Sequence, residues 1–197
     1  APSLRVAFES GYFRCYSGRC DVQHGNAYKF LTELGYEPDA AKELLKDVDV
    51  PLFKDYWERL NLSLDYLKEK TERTAIRLTV IKGINDVHLE KYAELVNRGK
   101  PDFIEVKAYM HVGQSQERLQ KNNMPLHEEV VAFSKKLNSF LEDYEIVSEH
   151  IPSRVVMFAL KKYNIDGIWN TWIDFEKWAN FVNSDEIGDY NKKTPTV

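Results

Sequence analysis

The period of the hydrophobic pattern constrains this chain most, because between Thr74 and Leu160 it alternates between the strand period of two and the helical period near 3.6. Thr74-Ala-Ile-Arg-Leu-Thr-Val-Ile81 places Ile76, Leu78 and Val80 at every second position in a β-branched run, which predicts a strand ending at Gly83. His88 to Asn97 carries Leu89, Tyr92, Ala93 and Val96 on one helical face, and Gly99 and Pro101 stop it. Asp102 to Met110 alternates again, with Phe103, Glu105, Lys107 and Tyr109 on one face and Ile104, Val106, Ala108 and Met110 on the other. After a loop of about 15 residues, longer than a plain connector needs, Pro125 opens a helix to about Leu141. Tyr144–Glu149 and Arg154–Leu160 read as two further strands. Strand, helix, strand, helix, strand predicts an α/β fold with a parallel sheet and right-handed crossovers. About four strands are too few to close an eight-fold ring, so the expectation is an open or partial (βα) barrel.

Around this centre the texture changes. Residues 1–37 are rich in Gly, Tyr and Arg without a sustained period and read as an irregular segment. Residues 38–182 form the expected domain, which opens with a short helix at Pro38–Lys46. A longer one follows at about Asp55–Lys70, where Trp57, Leu60, Leu64 and Leu67 share a face. Trp169, Trp172, Phe175 and Trp178 form a stripe that reads as core packing before it reads as a stacking platform. Residues 183–197 are a polar tail expected to fray.

Composition removes several classes. The longest uninterrupted apolar run, Val155–Leu160, is far short of the ~20 residues needed to cross a bilayer. Two cysteines make no disulfide framework, and no charged-then-apolar leader opens the chain, so a cytoplasmic location without a membrane partner is expected. A first residue of Ala in place of Met is what a processed chain or an excerpt from a longer one would show. Dinucleotide-fold, P-loop, nucleophile-elbow and H-E-x-x-H motifs are all missing from the sequence.

Ligands of parallel α/β folds sit at the carboxyl ends of the strands. After the first strand come Lys82-Gly83-Ile84-Asn85, and after the second come Lys107, Tyr109, His111, Ser115 and Arg118. The third end is Glu149-His150-Ile-Pro-Ser153-Arg154. Glu105 and Lys107 are the oddest pair, since charges on a strand expected to be buried need partners or a ligand. Arg77 interrupts the first strand's apolar alternation, either facing solvent or binding an anion. His111 is a loop histidine on its own and a site candidate in polar company, and His127, in a helix's first turn, reads as a surface or supporting residue. Cys15 and Cys20, with His24 nearby, are the only metal-ligand cluster the spacing offers, and it lacks a fourth ligand.

Three runs carry a resemblance: Arg73-Thr-Ala-Ile-Arg-Leu-Thr-Val-Ile-Lys-Gly-Ile-Asn85, Pro101-Asp-Phe-Ile-Glu-Val-Lys-Ala-Tyr-Met-His-Val-Gly-Gln-Ser115 and Asn123-Met-Pro-Leu-His-Glu-Glu129. Together with Pro51–Arg59 and Ile151–Val156, they make residues 40–180 resemble the C-terminal half of tRNA 4-demethylwyosine synthase, the radical-SAM enzyme of wybutosine biosynthesis. The resemblance implies a partial barrel of radical-SAM type holding S-adenosylmethionine and a [4Fe–4S] cluster. The implied reaction joins a two-carbon unit from pyruvate to N1-methylguanosine in the anticodon loop of phenylalanine tRNA. By the same resemblance Lys107 and Glu105 would be catalytic, and Arg77, Asn85, Tyr109, His111 and Ser115 would bind the cofactor. Arg118, Lys121 and Arg154 would meet tRNA phosphates, and Cys15 and Cys20 would be the cluster ligands at hand. The family's C-x3-C-x2-C triad has no counterpart here, and the first 37 residues do not match. Two other readings stay open: an iron-free Schiff-base lyase with Lys82 or Lys107 as nucleophile, and a non-catalytic RNA- or protein-binding remnant. A net charge of −4 weighs against broad nucleic-acid binding but not against a local patch.

Overall fold

The structure, a computed structural model, describes residues 4–6, 13–15, 55–182 and 188–194. The helix expected at Pro38–Lys46, and Cys20 and His24, lie outside them. Leu4–Val6 (β1) and Phe13–Cys15 (β2) pair antiparallel. Tyr56–Lys68 is a helix (α1), followed by strand Ala75–Val80 (β3), helix Leu89–Gly99 (α2) and strand Phe103–Ala108 (β4). Helix His127–Asn138 (α3) leads to strands Tyr144–His150 (β5) and Val155–Leu160 (β6). Among the described residues no helix is long and apolar enough to cross a membrane.

The four main strands form one sheet in the order β3-β4-β6-β5. β3 and β4 are parallel, as their intervening helix predicts, but β6 lies antiparallel to both β4 and β5. The expectation of an all-parallel sheet therefore fails at β6. The cause is length: only the turn Ile151–Arg154 joins β5 to β6, and a parallel return needs a crossover of about a dozen residues or more. The hairpin inserts β6 between β4 and β5, and the chain bulges between Ile146 and Ser148 to keep the register.

One face of this sheet is the core. Ile104, Val106 and Phe158 are fully buried there with Ile76, Leu78, Val80 and Val156. The helices cover them through Leu64, Leu67, Tyr92, Val96, Val130 and Leu137. α1 and α2 approach closely because Gly99 lacks a side chain; a Cβ there would stand 3.0 Å from Leu64 Cδ2. Arg98 ties the same two helices with a two-pronged pair to Asp65, both contacts at 2.7 Å. Asp102 joins the starts of β3 and β4 by accepting from the Thr74 backbone at 2.7 Å and its hydroxyl at 3.1 Å.

Beyond β6 the chain makes short pairs: Asn164–Ile165 (β7) with Ile168–Trp169 (β8), and Trp172–Ile173 (β9) with Asn191–Lys192 (β10), either side of helix Phe175–Val182 (α4). The second pair draws part of the segment expected as a tail back onto the domain. The aromatic stripe is not core. Trp169 packs against Phe103 and Tyr163, but Trp172, Phe175 and Trp178 are 56%, 70% and 41% exposed. The four residues are divided among β8, β9 and α4, so their three-residue spacing never becomes one helical face.

Candidate functional site

The sheet's other face carries the charges. Pairing of β3 with β4 sets Arg77 directly beside Glu105 and Thr79 beside Lys107. Pairing of β4 with β6 sets Glu105 beside Met157 and Lys107 beside Val155. Arg77 Nε and Nη2 lie 2.8 and 2.7 Å from the same oxygen, Glu105 Oε2. The carboxylate thus pairs with Arg77 across the strands and not with Lys107 along its own, and Oε1 has no partner among the described residues. Lys107 is half-buried and has no hydrogen-bond or ion-pair partner among the described residues. Thr79 is buried beside it with an unsatisfied hydroxyl. The sequence signal for Thr79 was present, since it shares a strand face with Arg77, yet a threonine in a β-branched run reads as strand filler.

Two small apolar clusters bound this polar strip. Phe103, Ala159 and Tyr163 close one end, and Ile81, Tyr109 and Leu119 close the other. The second marks the carboxyl ends of β3 and β4, where the loop after β4 folds back. Lys82 N donates to Asn123 O at 2.9 Å and Asn123 Nδ2 donates to Lys82 O at 3.0 Å, pinning that loop against the turn after β3. Asn85 builds the turn itself: its amide donates to Thr79 O at 2.9 Å and accepts from Ile81 N at 2.6 Å. The Lys-Gly-x-Asn element thus shapes the strand end, with the amide of Asn85 turned to the chain. Gly83 takes φ +76, where a side chain would be strained.

Tyr109, His111 and Ser115 come together at this end. Tyr109 is buried, and its hydroxyl lies 2.9 Å from Ser115 Oγ and 3.2 Å from His111 Nδ1. Ser115 Oγ lies 2.6 Å from Val112 O. Arg118 and Lys121 are exposed on the same loop without side-chain partners among the described residues. Arg154 is tied to the chain as well: its Nη1 donates to Pro125 O at 2.7 Å and its carbonyl accepts from Ala108 N at 3.0 Å. It holds φ +50 to do so, a conformation costly for any residue with a Cβ.

Lys82 is engaged by Glu129, which also accepts from Leu126 N at 2.8 Å at the start of α3. The bond from Lys82, with that from the Leu126 backbone, holds the Glu129 carboxyl below its ordinary 4.5. Lys82 is thus occupied by Glu129, whereas Lys107 has no such partner among the described residues. His127 is buried with Nε2 3.0 Å from Glu149, on the helix-covered side. A cleft of about 240 Å³ also opens on that side, floored by Val80, Leu89 and Phe133 and rimmed by Lys82, Glu129 and Lys136. It is separated by the sheet from Glu105 and Lys107.

For metals the fit is poor. Among the described residues no three His, Cys, Asp or Glu side chains gather closely enough to hold an ion. Cys15 lies on β2 and Cys20 outside the described residues, and two cysteines cannot supply the three thiolates of the implied cluster.

Residues 98–160 match a family model described as wyosine base formation. The chain is 42% identical over 177 residues to the S-adenosyl-L-methionine-dependent tRNA 4-demethylwyosine synthase TYW1 of Danio rerio, covering 84% of this chain and 24% of that protein. With the synthase of Arabidopsis thaliana it shares 43% identity over 175 residues, 85% of this chain and 27% of the other. A solved structure of TYW1 with a lysine–pyruvate adduct bound superposes with a TM-score of 0.50 at 38% identity, covering 58% of this chain and 36% of that one. The chain spans about a quarter of the length of the curated relatives it matches.

Proposed function

We propose that this chain, which carries the wyosine base formation region of the tRNA 4-demethylwyosine synthases, supplies the C-terminal strands of a partial radical-SAM barrel. It would act in forming 4-demethylwyosine from N1-methylguanosine and pyruvate in phenylalanine tRNA. The observation that carries this reading is the charged strip on the face of β3 and β4 that no described helix covers. Strand faces turned into a barrel keep charged side chains where a ligand needs them. The names of the relatives supply the ligands: S-adenosyl-L-methionine and a tRNA, with pyruvate from the adduct.

Within this reading, S-adenosylmethionine supplies the radical chemistry when bound, and the chain's own residues position it. Arg77 and Glu105 offer a cation and a carboxylate side by side, complementary to the carboxylate and ammonium of an amino-acid end. Tyr109, His111 and Ser115 would line the cofactor's nucleoside side, with Asn85 shaping the turn beneath it. Lys107 is the ammonium left for pyruvate's carboxylate, and Glu105 Oε1 can accept a proton or an N–H. Arg118 and Lys121 would meet phosphates, which position an RNA without reading its sequence. Arg154 would support that loop through Pro125. Two cysteines do not supply the three thiolates of the cluster.

Binding of phenylalanine tRNA across a salt series tests the reading. The wild-type affinity should fall steeply with salt, and Arg118→Ala with Lys121→Ala should reduce the logarithmic slope by about 2, about one unit per lost phosphate contact. An unchanged slope would remove this loop from the tRNA interface.

A further inference from the structure

The hydrogen bonds around Tyr109 fix more than a position. A carbonyl oxygen only accepts, so in the Ser115 Oγ–Val112 O contact the serine must donate its single proton. Ser115 Oγ then has only acceptor capacity left for Tyr109, so the phenol must donate its single proton to Ser115. The phenol oxygen is then an acceptor toward His111, and the 3.2 Å contact exists as a hydrogen bond only if Nδ1 carries a hydrogen. One arrangement satisfies all three contacts: Nδ1–H of His111 to Tyr109, Tyr109 to Ser115, Ser115 to the Val112 carbonyl. In the neutral ring the remaining nitrogen, Nε2, is then a bare lone pair. His111 is partly exposed, and no partner for Nε2 stands among the described residues.

We infer that His111 is locked in the Nδ1–H tautomer and presents Nε2 as a dedicated acceptor for the exocyclic amino group of a purine. This rests on the site reading above, whose cofactor and tRNA substrate each carry an amino-purine: the adenine of the cofactor and the guanine of the tRNA. Both offer an N–H donor and share the chemistry that Nε2 selects. The lock is what makes this a recognition element. A ring free to exchange tautomers could present N–H at Nε2 and would donate to a purine carbonyl as readily as it accepts from an amino group. Tyr109 acts through His111 as a positioning residue, and its burial keeps the phenol from turning away to water.

Nitrogen-15 spectroscopy of the histidine rings tests this without turnover, at a pH where the ring is neutral. His111 should show a protonated Nδ1 and an unprotonated Nε2 in the wild-type chain, and Tyr109→Phe should abolish that preference. A wild-type ring protonated at Nε2, or a mixture unaffected by Tyr109→Phe, overturns the lock. Titration with S-adenosylhomocysteine and with guanosine 5′-monophosphate should move the Nε2 resonance for at least one of them, and that one names the source. Inosine 5′-monophosphate, which lacks the amino group, should leave it in place. Equal movement with inosine 5′-monophosphate, or none with either amino-purine, overturns the inference. Backbone amides of Arg77, Glu105 and Lys107 recorded in the same titrations separate the two levels. If they shift while Nε2 does not, the site reading stands and the histidine's role falls; if they also stay still, the site reading falls too.

Discussion

Removing the Arg77–Glu105 pair should cost the fold little. Two guanidinium nitrogens meet one carboxylate oxygen at 2.7 and 2.8 Å, so the geometry is good. The side chains are 40% and 28% exposed, so water reaches both. At about 4 Å two unit charges interact by ~4 kcal/mol with an effective dielectric near 20, and by ~1 kcal/mol in bulk water. Screening at this exposure places the pair toward the second limit, and measured exposed pairs cluster between about 0.2 and 1 kcal/mol. The assay is a double-mutant cycle of Arg77→Ala, Glu105→Ala and the double variant in urea, with the coupling taken from the four unfolding free energies. The expected coupling is about 0.5–1 kcal/mol, equivalent to about 1–4 °C in Tm for a chain of this size. A pair so loosely held can open toward an incoming zwitterion at small cost. A coupling above about 3 kcal/mol, the range of buried pairs, would refute the reasoning and make the pair a structural strut.

Other outcomes follow from single features. Burial, then the charges of Asp102 and Asp143, raises the Tyr144 hydroxyl above its ordinary 10.0, and Tyr144 donates to Pro101 O at 2.7 Å. The unfolded chain therefore loses this proton first, so stability should hold below pH 10 and fall above it; Tyr144→Phe should flatten part of that fall in pH-dependent urea melts, and no change would deny the raised pKa. Glu129 is shifted the other way, so its contribution is present above about pH 4.5 and lost on acidification, and Glu129→Gln should make the acid limb of the same melts shallower. At Arg154, where φ is +50, Gly should be more stable than Ala by about 1 kcal/mol although both lose the bond to Pro125; equal stability would remove the backbone argument. Trp172→Ala should shift stability by less than about 1 kcal/mol, far below the 3–5 of a buried tryptophan, because over half of the side chain meets solvent.

The strands and helices were legible because their signals are local. Ile76-x-Leu78-x-Val80 and Leu89…Tyr92, Ala93…Val96 each declare a face within one element, and those faces make the core. The antiparallel placement of β6 was also readable, from the few residues between Glu149 and Val155, but the strand–helix rhythm upstream argued for another crossover. The site was legible in composition and not in partnership. Glu105 and Lys107 stood out as charges on an inner strand, yet which cation Glu105 meets depends on the β3–β4 register, which no local pattern specifies. The chain of hydrogen bonds from His111 through Tyr109 to Ser115 likewise needs the loop folded back. The aromatic stripe misled because a three-residue spacing counts as a face only inside a single helix.

Chemical-shift mapping of backbone amides with S-adenosylmethionine tests the central claim most directly. Shifts are expected along Arg77, Thr79, Glu105, Lys107, Tyr109 and His111, with their loss in Lys107→Ala with Arg77→Ala while the Tm stays within a few degrees. Shifts confined to the cleft between α2 and α3, around Leu89, Ala132 and Lys136, would put the ligand on the opposite face of the sheet and contradict it.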